Sequence, residues 1–237
     1  MNHPRVFRGP LLLLAALATA APTSAPAFEN EQLHYNINWP SGLSLGEAQL
    51  SASSSKSGED PSPILHFSFD IDAGIPGFTV TDRYRSQAVD DFCSTEFRRT
   101  IKHGTKSIDE KIAIDAHEGK MTRETIGGGK TVADAPSCAK DALTFLYYVR
   151  HELSQGRIPP SQTIFFGPQY EVHLEFAGTQ TIRIADKPVE ADRMTASVKG
   201  PVAGISFEIF FLKDRARTPA LVRVPLSLGT FSMELAQ

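Results

Sequence analysis

Two cysteines, Cys93 and Cys138, are the residues of this chain whose chemistry is most constrained by type and number. With no CxxC and no His beside either, a thiol metal or redox site lacks its usual spacing. In an oxidising compartment, two thiols in one chain pair. A bridge between them would close a loop worth roughly 3 to 4 kcal/mol on the chain-entropy argument. Other groupings lead nowhere. Gly127-Gly128-Gly129-Lys130-Thr131 has the tail of a phosphate-binding loop, but Glu124 stands where its first glycine belongs, and Ala133-Asp134-Ala135-Pro136 follows in place of a helix. It reads as a surface hairpin. His34, His66, His103, His117, His151 and His173 show neither HxH nor HxxxH spacing, so the sequence predicts no metal and no cofactor. The chain has no GxSxG or SxxK for an activated serine. Asp70 with Asp72 and Asp90 with Asp91 could in principle share acid and base roles, and Asp214-Arg215-Ala216-Arg217 could form a charged dyad. At strand ends such groups are more simply solvated turns, and no catalytic residue is assigned.

The elements that would position any site are mostly short alternating strands. Leu33, Tyr35, Ile37 and Trp39 fall on one side of a first strand, with Gln32, His34, Asn36 and Asn38 on the other. Pro40-Ser41-Gly42 turns the chain into a partner at Gly46 to Ser53. Ser51 to Pro63 reads as an exposed hairpin tip. Leu65, Phe67, Phe69 and Ile71 alternate again, and strands are predicted at 79–89, 95–103, 107–115 and 120–125. Others follow at 162–166, 170–176, 179–184, 191–198, 205–211, 220–225 and 229–235, with Ala177-Gly178 read as a turn. One segment breaks the pattern. From Asp141 to Gly156, Ala142, Leu146, Val149 and Leu153 recur at helical spacing, and Leu143, Phe145 and Tyr147 widen the apolar stripe past half the circumference. Asp141 or Ser137 can cap it, Gly156 can end it, and Pro159-Pro160 stops it. So apolar a helix needs covering. The expected fold is mainly β, a curved antiparallel sheet forming an open or half barrel wrapped around one central helix.

The first 27 residues read as a cleaved secretory leader. Arg5 and Arg8 precede an apolar run from Leu11 to Ala21, and Ala25-Pro26-Ala27 offers a cleavage site, with Ala18-Thr19-Ala20 as a second. The run is too short to cross a bilayer, so the exported chain is expected to hold no transmembrane segment and to reside in the periplasm. The charge of the whole chain is −3, and removing a leader with two arginines and no acid leaves −5. An acidic chain without a basic face excludes nucleic acid as a partner. Residues 28–237, free of any linker-like tract, are expected to form a single β-rich domain.

Leu33-x-Tyr35-x-x-x-Trp39 with Gly46, Asp82-Arg83-Tyr84-x-Ser86, Asp141-Ala142 with Tyr147, Arg150 and Gly156, and Phe211-x-x-Asp214 with Pro219 occur in an order that resembles the exported bacterial proteins grouped as DUF3108. Cys93, Cys138 and Thr144-Phe145-Leu146 depart from that pattern. The resemblance implies no activity.

The functional expectation is a non-enzymatic periplasmic protein that binds a lipid or other apolar or amphipathic envelope component inside the sheet. Trp39, Phe67, Phe69, Tyr147, Arg150 and Phe211 are its expected lining. The alternative is a solid-cored structural or protein-interaction module of the envelope, and a hydrolase comes third.

Overall fold

A computed structural model describes residues 30–57, 60–201 and 204–236. The leader expected at residues 1–27 lies outside the described residues. Among the described residues, fifteen strands, one α-helix and a short 3-10 turn at Asp90–Phe92 follow the chain. Before the helix come β1 (Glu31–Asn38), β2 (Ser44–Ser57), β3 (Asp60–Ile75), β4 (Phe78–Val89), β5 (Cys93–His103), β6 (Lys106–Asp115), β7 (Lys120–Thr125), β8 (Lys130–Asp134) and β9 (Lys140–Asp141). The helix α1 spans Ala142–Ser154. After it come β10 (Gln162–Phe165), β11 (Gln169–Ile184), β12 (Lys187–Lys199), β13 (Ile205–Leu212), β14 (Pro219–Leu226) and β15 (Gly229–Leu235). All strands belong to one open sheet, ordered β8-β7-β6-β5-β4-β3-β2-β1-β15-β14-β13-β12-β11-β10-β9. Every ladder is antiparallel except β9 with β10.

Alternation sets the two faces. In β4, Asp82, Tyr84, Ser86 and Ala88 are buried while Arg85, Gln87 and Val89 are exposed, the period of two that a pleated strand imposes. Leu50, Phe67, Tyr84, Phe97 and Ile112 continue the buried face across β2 to β6. On the opposite face Asp70 and Asp72 pair with Arg83 and Arg85, with Arg83 Nη2 2.7 Å from Asp72 Oδ2. These carboxylates are therefore neutralised surface ladders. Asp214 accepts from Thr218 N–H (2.9 Å) and Thr218 Oγ1 (2.6 Å), closing the β13–β14 turn.

Two expectations are corrected. Ser51 to Pro63 is not an exposed tip: β2 runs on to Ser57 and β3 starts at Asp60. Serines here occupy strand positions, Ser51 Oγ bonding Ser68 Oγ at 2.5 Å while Ala52 is buried, so polar composition concealed a continuing ladder. Likewise Ala177-Gly178 is not a turn. It is a register shift within the single strand β11, between Phe176 and Thr179, and Gly178 adopts φ 103° there, the left-handed freedom that lets a bulge form without steric cost.

Cys93 and Cys138 form a disulfide with Cα atoms 4.7 Å apart. Beside it, Ser94 N–H donates to Ala139 O (2.8 Å) and Asp141 N–H to Ser94 Oγ (2.9 Å). Arg99 Nη1 reaches Phe166 O at 3.1 Å. The start of β9, an outermost strand of the order, is thus stitched to β5, the fourth strand from the opposite edge, without a ladder.

Candidate functional site

Asp141 begins the helix. Its backbone is extended and its Oδ1 accepts from Leu143 N–H (2.8 Å) and Thr144 N–H (3.1 Å), satisfying two of the donors a helix start leaves unpaired. Its Oδ2 lies 2.5 Å from Ser86 Oγ, 2.7 Å from Ser94 Oγ and 2.9 Å from Thr144 Oγ1. The group is fully buried. Burial pushes the Asp141 carboxyl above the usual carboxylate range, opposed by the donors from Ser86, Ser94 and Thr144. A pKa raised in the fold gives stability that is full below the unfolded value of about 3.9 and is lost as pH rises through the folded value. The stability advantage of the wild type over Asp141→Asn should therefore shrink with rising pH in urea titrations run from about pH 4 upward; a flat difference would show that the five donors cancel the burial.

Farther along α1, Arg150 and Tyr147 are completely buried. Arg150 grips Glu31 of β1 through two 2.6 Å bonds, Nη1 to Oε2 and Nη2 to Oε1, and its Nε donates to Ala216 O at 3.0 Å. Tyr147 Oη donates to Glu31 Oε2 (3.1 Å), and its ring stacks on Phe67 with centroids 4.2 Å apart. Arg150 also lies over the Tyr147 ring, 4.7 Å from the centroid. Polar groups here are satisfied by one another, which leaves a positioning device that fixes the helix against β1.

Beside this anchor lies a cavity of about 380 Å³ with an almost wholly apolar wall. Leu143, Leu146 and Val149 of α1 form one side, and the remainder includes Phe69 of β3, Phe166, Leu174 of β11, Phe207 of β13 and Met233 of β15. Strands from both halves of the sheet order contribute. Its size lies within the range of small-molecule pockets, but among the described residues no titratable side chain other than the buried Tyr35 and Tyr84 lines it. Burial raises both phenols. Tyr35 Oη donates to Pro219 O at 2.8 Å and Tyr84 Oη to Asp82 Oδ2 at 3.2 Å, so neither hydroxyl is poised as a base.

Of the six residues expected to line the site, Phe69 is in the cavity wall. Phe67, Tyr147 and Arg150 form the filled anchor next to it, and Phe211 is buried with Phe145, Val149 and Met194. Trp39 stands at the β1–β2 turn, edge-on to Phe231 at 4.9 Å. Sequence reasoning missed Leu143, Leu146 and Val149 as wall residues, having treated the helix stripe as core, although their helical spacing was the available signal.

Among the described residues this is a mainly β fold with one α-helix, an apolar pocket beside it and a buried ion pair, Arg150 to Glu31, serving as a strut. The chain belongs to the family described as protein of unknown function (DUF3108), which matches residues 32–236. No curated protein matches it. Among solved structures it is similar to a β-barrel-like protein of the domain of unknown function DUF1849 from Brucella abortus, at 11% identity and TM-score 0.58, covering 89% of this chain and 97% of that one. It is also matched by a putative exported protein with a YmcC-like fold from Bacteroides fragilis, at 9% identity and TM-score 0.39, covering 90% and 96%. The first of these shares the fold alone.

Proposed function

We propose that the protein is a non-enzymatic periplasmic binder of an apolar or amphipathic envelope component, held in the cavity between α1 and a sheet that curves around it. The single observation that carries this reading is the 380 Å³ cavity walled by α1 and by strands of both halves of the order. Connectivity supports the curvature. The outermost strands β8 and β9 are consecutive in sequence, separated only by residues 135–139. Such a segment reaches about 20 Å at full extension, whereas a flat fifteen-stranded sheet would put its edges roughly 67 Å apart. Bending brings the edges together. The nearly complete absence of polar wall atoms favours aliphatic over sugar or peptide ligands, since a polar guest would lose its hydrogen bonds to water without replacement.

Ala142 and Ala196 both face the cavity. Protein purified from the periplasm, extracted and examined by lipid mass spectrometry, is expected to yield a stoichiometric apolar compound, and an apolar naphthylamine fluorophore should bind the stripped protein. Ala142→Leu with Ala196→Leu should weaken that binding by about ten-fold or more, because filling a cavity removes the space without adding polar groups. Absence of co-purifying lipid together with no fluorophore binding would reject the proposal in favour of a solid-cored envelope module.

A further inference from the structure

Because the ladders from β8 through β10 are antiparallel, successive turns alternate between the two ends of the sheet. One end collects the turns β1–β2, β3–β4, β5–β6, β7–β8, β10–β11, β12–β13 and β14–β15. Pairing of Asn38 with both Ser44 and Ser232, and of Gly46 with Ala73, fixes the first, second and last of these as neighbours. From Asn38 to Ser44, Ile75 to Phe78, His103 to Lys106, Thr125 to Lys130, Phe165 to Gln169, Lys199 to Ile205 and Leu226 to Gly229, the sequence contains no Asp or Glu. It does contain Lys106, Lys130, Lys199 and His103. The opposite end mixes bases with Asp91, Asp115, Glu118, Asp186 and Asp214.

Apolar exposure follows the same division. Leu43 is 66% exposed, Leu228 68% and Ile126 62%, and Ile75, Phe78 and Leu226 are also exposed, all in these carboxylate-free turns. Among the described residues, Val89 lies exposed beside a turn of the opposite end and Ile158 in the loop leading to the start of β10 there, but they do not come from adjacent hairpins as the leucines do. Exposed aliphatic tips drawn from adjacent hairpins, with lysines in the β5–β6, β7–β8 and β12–β13 turns of the same end and no carboxylate within these turns, match one partner chemistry in both respects: hydrocarbon beneath anionic headgroups.

We infer that this end of the sheet docks on the surface of an anionic lipid bilayer, with the β1–β2, β3–β4 and β14–β15 turns entering the interface. The inference stands on the turns and does not require the cavity to be occupied. Trp39, the only tryptophan, sits in the β1–β2 turn and reports directly on it.

The test is flotation of the purified protein with vesicles of phosphatidylethanolamine alone or with phosphatidylglycerol, together with quenching of Trp39 by brominated acyl chains. Binding to the anionic vesicles, with quenching of Trp39, is expected. Leu43→Ser with Leu228→Ser should weaken it by about ten-fold per leucine. Lys106→Gln with Lys130→Gln should weaken it by roughly five-fold per lysine and reduce its salt sensitivity. Both pairs are exposed, so the fold and fluorophore binding in the cavity should persist, which separates this result from failure of the binding proposal. Lack of flotation on either vesicle, flotation that leaves Trp39 unquenched, or a self-association abolished by the leucine pair in the absence of any vesicle binding would each overturn it.

Discussion

Glu31→Ala should destabilise the protein by about 3–5 kcal/mol, measured as a fall in the urea midpoint at constant slope, because it leaves the fully buried Arg150 guanidinium without its carboxylate. Glu31 accepts both ends of the guanidinium fork and the Tyr147 hydroxyl, so one truncation removes the carboxylate that three donors share. The ion pair itself need not be strongly stabilising, since two charges were taken out of water to make it. The informative comparison is Glu31→Leu combined with Arg150→Met. That double variant should lie within about 2 kcal/mol of the wild type, far above Glu31→Ala, because no charge is left buried. A loss below about 1 kcal/mol for Glu31→Ala would mean that water reaches Arg150, and that α1 is not held to β1 in the way described.

Cys93→Ala with Cys138→Ala should cost a similar amount, about 4 kcal/mol, from restored freedom of the unfolded 45-residue loop. The place of the bond makes the effect more than a chain-entropy term. It joins β5 to the segment entering β9 where no ladder exists, beside the Ser94 to Ala139 and Asp141 to Ser94 hydrogen bonds. Without it, those two bonds, the Ser86 and Ser94 hydroxyls on Asp141 Oδ2, and Arg99 to Phe166 O remain across the seam. Amide exchange should therefore accelerate most at Ser94 and Asp141, whose N–H groups make the seam bonds, while β1 to β3 stay protected. A loss confined to unfolded-state entropy would lower the urea midpoint without that local signature; a change below 1 kcal/mol would show that the noncovalent contacts suffice.

Much of this architecture was legible because alternation and turn residues are local signals. Tyr84 and Ser86 face inward for the same reason that Arg85 does not, and the Asp141 to Gly156 helix announces itself by spacing and caps. The spacing of Asp70 and Asp72 puts them on one face, but reading them as solvated turns misses their partners: they lie within β3 and meet Arg83 and Arg85 of β4. The partner of Arg150 could not be read, since Glu31 lies 119 positions away and only the fold brings the two together. The same holds for Ser86 and Ser94 around Asp141. Their hydroxyls look like ordinary strand polarity until a buried carboxylate is placed among them. The cavity was illegible for another reason, that a Leu143 packed against a neighbour and one facing a void carry identical sequence signals.

The central ladder between β1 and β15 has a consequence for how this chain reaches its final form. It is the one ladder among the described residues that joins strands not consecutive in sequence. Every other pairing can zip locally, so β1–β8 and β9–β15 are two self-templating ribbons whose union must recruit Tyr35 to Leu235 across nearly the whole polypeptide. Closing a loop of that length costs roughly 4–5 kcal/mol of chain entropy before the first backbone bond forms. A weakness at this join would open the sheet at its middle, between ribbons of eight and seven strands still linked by the β5 seam and the Arg150 to Glu31 pair, instead of fraying it from the rim.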